Sequence, residues 1–169
     1  MHRLFRLSNC GYNKVYISYH LQMNRLLPSL LLVLWGFLAF ADDAYFQEQL
    51  AEARKGDPIA QFNMGIIYLK GDSAPLNHAE AVKWFRKAAN QGVDAAQANL
   101  GLMYVTGDGV PKDNVKAFSW WSVAEKQGYN KVWLSNNLDK LIHKLTEEQL
   151  DQAQALATKC WESKFEDCD

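Results

Sequence analysis

The sequence predicts an all-α fold, an α-solenoid of stacked antiparallel helix pairs. Three observations carry that prediction: a phrase spelled twice 36 residues apart, capping residues where helices must start, and glycines where they must stop. "AQFNMGIIYLKGDSAPLN", residues 60–77, returns as "AQANLGLMYVTGDGVPKD", residues 96–113. Sliding the chain by 36 positions aligns the copies without a gap and gives 13 identities over 36 positions. They pair Ala60, Gln61, Asn63, Gly65, Tyr68, Gly71, Asp72 and Pro75 with Ala96, Gln97, Asn99, Gly101, Tyr104, Gly107, Asp108 and Pro111. Further along, Ala81, Trp84, Ala88, Gln91 and Gly92 pair with Ala117, Trp120, Ala124, Gln127 and Gly128. A period of this length marks units that cannot bury their own apolar faces and so stack on their neighbours.

In chain order, residues 1–41 come first and read as a leader. From Met23 the text carries Arg25, an apolar run from Leu26 to Phe40 and the small-residue site Ala39-Phe40-Ala41, the layout of a secretory signal peptide over 23–41. Met23 makes a better start than Met1, because residues 1–22 fit no standard export signal. An uncleaved anchor is the competing reading. The run is about fifteen residues and includes Pro28 and Gly36, short of the roughly 20 that a spanning helix needs. The expected location is therefore periplasmic or secreted, with no membrane span after cleavage. Losing Arg3, Arg6, Lys14 and Arg25 leaves 14 of the 18 basic residues against all 19 acids, a net charge near −5. No basic stripe offers itself to nucleic acid.

The exported part divides into a half-repeat helix (42–56), a first repeat (57–92), a second repeat (93–128) and a terminal half-repeat with a capping helix (129–169). Asp57 before Pro58 starts the first full helix, which should run to Lys70 and stop at Gly71. Asp94 and Gly107 bracket its counterpart. Asn77 and Asp113 can cap the second helices, which should end at Gly92 and Gly128. Gly65 and Gly101 let paired helices approach closely, with Ala81, Ala88, Ala117 and Ala124 opposite; Tyr68, Trp84, Phe85, Tyr104, Trp120 and Trp121 fill the space between neighbours. Asn130 caps a helix expected from Lys131 to about Leu145. Thr146 and Gln149 stand at capping-box spacing before a last helix whose stripe is Leu150, Ala153, Ala157 and Trp161. Cys160 and Cys168 are the two cysteines of the exported part, and an even count in an oxidising compartment argues for a disulfide between them.

Leu100-Gly101 and Tyr104, followed by Ala117 and then Trp121, resemble the tetratricopeptide signature. The 36-residue period, the "GDGVPKD" loop and the ending Ala88 to Gly92 make the chain similar to the Sel-one-like repeat (SLR) family in particular. The first copy departs from that pattern at Met64 and in the loop Ser73-Ala74-Pro75-Leu76. The resemblance implies a right-handed superhelix and a protein-binding role. It places Ile59, Phe62, Ile66 and Leu69 on a concave face together with Ala95, Ala98, Leu102 and Val105, with Leu134 and Leu138 as weaker candidates. Such an apolar strip suits a segment of another protein or an envelope component. The chain's own amino-terminal helix is the other candidate to cover it.

An enzyme needs convergent groups, and none assemble here. His78, expected in a loop, and His143 have no partners at metal-ligand spacing, and a disulfide removes both thiols as ligands. Ser119, Ser122 and Ser135 lack a nucleophile elbow. Asp72, Asp108 and Asp113 offer too few oxygens for a calcium loop and suit turns and caps instead. No cofactor and no metal are expected. Some cysteine-rich relatives in the resembled family are linked to beta-lactam binding or hydrolysis, the alternative reading. Those carry a cysteine pair in each repeat, and this chain does not.

Overall fold

A computed structural model describes residues 44–166 and 168, and within them the chain forms seven helices and no strand. They are α1 (44–55), α2 (Pro58–Lys70), α3 (His78–Ala89), α4 (Asp94–Thr106), α5 (Asn114–Gln127), α6 (Lys131–Ile142) and α7 (Glu147–Glu162). The leader, 1–41, lies outside the described residues.

Local chemistry sets most of the boundaries. The Asp57 carboxylate accepts from the Ala60 N–H at 2.6 Å, Pro58 occupies the first turn, and Gly71 ends α2 at φ +76°. Asn77 caps α3 by accepting from Glu80 N–H, and Asp113 caps α5 by accepting from Val115 and Lys116. The two intra-repeat loops close with the same backbone bond, Asn77 N–H to Tyr68 O and Asp113 N–H to Tyr104 O, 36 positions apart. The capping box is complete at α7, with Thr146 and Gln149 bonding reciprocally.

Three boundaries differ from the sequence expectation. The α3 helix stops at Ala89, and Gly92 serves the turn beyond it at φ +83°. At α4 the cap position falls to Val93, which has no side-chain bond to give, and Asp94 is already helical. Asp57 and Pro58 of the first copy correspond to Val93 and Asp94 of the second, so the second copy has lost the cap and kept an acid at the positive end of the helix dipole. The α6 helix ends at Ile142, and Lys144 and Leu145 continue as turn residues bonded to Leu141 O and Ile142 O.

Packing follows the small residues. A Cβ at Gly65 would run into the Phe85 ring, and one at Gly101 into the Trp121 ring, so α2 meets α3 and α4 meets α5 at closest approach through equivalent pairs. Ala81, Ala88, Ala117 and Ala124 are fully buried opposite them, with Trp120 buried completely and Trp84 nearly so. Next to these contacts α3 packs on α4, and α5 on α6. The main core runs from Ala81 through α4 and α5 to Leu141, Ala153 and Cys160. A smaller cluster under α1 holds Ala53, Ala60, Met64, Ile67 and Trp84. The α7 helix packs on α5, and its tail, bonded by the Cys160–Cys168 disulfide, turns back so that Phe165 lies over Gly92.

Candidate functional site

The row of first-helix residues divides into three environments. Ile59 and Leu102 stand in solvent, 58% and 40% exposed. Phe62, Ile66, Leu69, Ala95 and Val105 are half-buried, and Phe62 leans on Phe85 with ring centroids 5.8 Å apart. Ala98 is buried, because the Trp121 indole lies against it and donates its Nε1–H to Ala98 O at 2.9 Å. Helix α1 packs on the flank of α2 that carries Ala60, Met64 and Ile67, joined by Gln61 Nε2–H to Ala53 O and Asn63 Nδ2–H to Gln49 Oε1.

Leu134 and Leu138, the weaker candidates for the row, belong to the core instead. The reason is a change of register. Helix α6 turns Leu134, Leu138 and Leu141 toward α5, whereas Val132, Trp133, Asn136, Asp139 and Lys140, five of the seven positions 36 beyond buried residues of α4, are exposed. Extending the period into α6 therefore picks the wrong face. What that change brings to the surface is Trp133, which stands edge-on to Trp121 at 5.6 Å.

Trp133, Tyr129 and Asn130 meet Ala98, Asn99 and Leu102 around an open notch of about 210 Å³. Its walls are two aromatic rings, two aliphatic side chains and two carboxamides, with no charged residue among them. Asn130 is held at φ +26° while its side chain caps α6, which fixes the turn from which Trp133 projects. Asn99 donates to Ala95 O. The sequence contained all six residues; Tyr129 to Trp133 follow the end of the second copy, where the repeat stops predicting neighbours.

Among the described residues, groups for bond-making chemistry do not converge. Among the described residues no cluster of three His, Cys, Asp or Glu side chains is placed to hold a metal ion. His78 is the first residue of α3, not a loop residue, and its Nδ1 lies 3.8 Å from Asp108 Oδ1 across the next loop. His143 is exposed at the end of α6, Ser119 is buried inside α5, and both described cysteines are in the disulfide.

Antiparallel helix pairs joined by equivalent loops, packed through equivalent glycines and stacked on their neighbours, define a helical repeat protein, an all-α solenoid. The chain carries two Sel1 repeats: the Sel1 repeat family model matches residues 58–93 and 94–129. Among solved structures, the chain is similar to a protective antigen of uropathogenic Escherichia coli strains that displays an SLR fold. That match has 35% identity and a TM-score of 0.67, and covers 71% of this chain and 26% of the antigen chain. It is also similar to a Sel1 repeat protein from Oxalobacter formigenes, at 43% identity and a TM-score of 0.50 over 53% of this chain and 25% of that one. The chain thus spans about a quarter of the length of these solved relatives. No curated protein matches it.

Proposed function

We propose that this chain is a non-enzymatic protein-interaction module of the bacterial cell envelope, exported through a cleaved leader, that holds a partner protein or envelope component along α2 and α4. The observation that carries the reading is the apolar row on α2 and α4 in which Ile59 and Leu102 are exposed and Phe62, Ile66, Leu69, Ala95 and Val105 half-buried, with the uncharged Trp133 notch at Leu102. Burying a Leu or Ile side chain that now faces water is worth about 1.5–3 kcal/mol, so two or three such anchors suffice for a transient complex. The absence of a convergent catalytic set among the described residues fits an adaptor better than a hydrolase. Among the described residues no helix is long and apolar enough to cross a membrane.

The test is a crosslinking capture from the native host with the full chain and its Ile59→Asp plus Leu102→Asp variant. Both sites are exposed, so the variant should keep the helical circular dichroism of the parent. Partners captured by the parent and lost from the folded variant support the reading; an unchanged set removes the binding face from α2 and α4. Export has its own measurement. Amino-terminal sequencing of the cell-envelope fraction should begin at Asp42, and a cytoplasmic chain that retains residues 23–41 would overturn it.

A further inference from the structure

We infer that the notch at Trp133 takes a proline-rich segment of the partner in the extended polyproline conformation. The inference rests on the reading of this chain as a protein-interaction module and names what the partner presents at the Leu102 end of the row. Trp133 and Leu102, 38% and 40% exposed, share the notch with the half-buried Tyr129, which makes a contiguous patch and not a scattered surface residue. The patch is also held in place. Trp133 stands edge-on to the buried Trp121, whose indole N–H is bonded to Ala98 O, and Asn130 Oδ1 accepts from the Trp133 N–H in the first turn of α6. A ligand that lands here orders little of the protein, so even a small contact keeps most of its binding energy.

The polar groups of the lining select the ligand. Asn130 uses its side-chain oxygen on the Trp133 N–H and keeps its amide hydrogens, whereas Asn99 gives an amide hydrogen to Ala95 O and keeps its oxygen. Among the described residues, the Trp133 indole N–H and the Tyr129 hydroxyl have no hydrogen-bond partner. Donors therefore outnumber acceptors around the notch, and none of them carries a charge. An α-helix has no carbonyls to spare before its last turn, and a β-type segment brings an N–H with every carbonyl. A run of prolines brings carbonyls alone, because proline has no N–H and the polyproline helix makes no internal hydrogen bonds. Its rings are apolar and suit an aromatic-lined groove, and the volume of about 210 Å³ admits a pyrrolidine ring or two.

The experiment titrates the full chain with acetylated, amidated octaproline and follows the tryptophan indole N–H signals by NMR, with Trp133→Phe identifying the Trp133 signal. A Gly-Ser peptide of equal length and an oligomer of N-acetylglucosamine are the competing probes. The expected result is a saturable shift of the Trp133 signal with octaproline alone, and a loss of at least about tenfold in affinity for Trp133→Ala. Asn130→Asp keeps the capping oxygen and removes the amide hydrogens, and Trp133→Phe keeps a ring and removes the indole N–H, so each should lose about two- to tenfold. Leu76→Ser, at an exposed residue that lines no part of the notch, should bind as the parent does, and 1 M NaCl should leave the affinity unchanged. No saturable shift with octaproline, equal affinity for the Gly-Ser peptide, binding of the sugar alone, or octaproline binding that Trp133→Ala leaves intact overturns the inference. A Trp133 signal that moves with protein concentration before any probe is added also overturns it, since a second copy then fills the notch. Should Trp133→Ala lose its helical circular dichroism, Trp133→Phe and Asn130→Asp decide in its place. Octaproline that fails to bind, beside host partners still lost from the Ile59→Asp plus Leu102→Asp variant, strikes this inference and leaves the wider reading standing. With the reverse pair of results the row on α2 and α4 falls as the binding face, and the notch keeps its ligand.

Discussion

Gln61 and Gln97 are buried polar residues in the middle of an apolar stack, and each is tied at both ends. Gln61 Nε2–H donates to Ala53 O, and Gln97 Nε2–H to Ala89 O, so α2 and α4 are each pinned to the last turn of the helix before. Their oxygens accept in turn from Gln91 and Gln127, which sit 30 residues later near the ends of α3 and α5. The same four residues appear in the sequence as two repeated identities. That recurrence marks them as structural, but it cannot reveal that they bond to one another, because each bond joins the first helix of a unit to residues 30 positions later in the chain. Gln97 is fully buried, so Gln97→Leu removes the donor to Ala89 O and strands the Gln127 amide. Ala89 O keeps the Gly92 N–H and Gln127 is half-buried, so the expected loss is that of ordinary hydrogen bonds, about 1 kcal/mol in urea denaturation. A change below a few tenths would mean that the two glutamines fill space without bonding.

The elements were legible wherever a capping side chain or a glycine marks an end, and less so where the end is made by packing. Helix α2 runs from Pro58 to Lys70 because Asp57 and Gly71 determine both ends locally. Helix α3 stops at Ala89, where the Ala88 carbonyl accepts from Gln91 and Val93 N–H and the Ala89 carbonyl from Gly92 N–H and the Gln97 amide, so part of its end is supplied by the next unit. The apolar row is exposed at Ile59 and Leu102, while their counterparts 36 positions away, Ala95 and Ile66, are half-buried. It was misread at Leu134 and Leu138, because α6 docks on α5 by its three leucines, and no local signal reports that rotation. At α7 the capping box gives a direct test. Thr146→Ala removes one of its two reciprocal bonds and should lower stability by about 1 kcal/mol, seen as a lower urea midpoint by circular dichroism. An unchanged midpoint would show that α7 is held wholly by its contact with α5.

At the scale of the whole stack, stability is a sum of units and of the interfaces between neighbours, so it should be graded along the chain. The main core is continuous from α3 to α7 and is centred on α5, which touches α4, α6 and α7. Helix α1 joins through a separate cluster in which Ala53 is its one buried apolar residue, with Phe46 and Leu50 half-buried beside it. Helix α6 is held on one side only, by Leu134, Leu138 and Leu141. Native-state hydrogen exchange should therefore show protection highest in α4 and α5, lower in α6, and lowest in α1, with the α1 amides exchanging through a local opening that leaves the rest folded. The disulfide adds a second mark. Reduction should lower protection in the last turns of α7 before it affects α4, since Cys160 and Phe165 tie that end to the turn at Gly92. Uniform protection across all seven helices would instead mean that the two clusters open as one unit, and the interface between α1 and α2 would then have to be far stronger than its small apolar contact suggests.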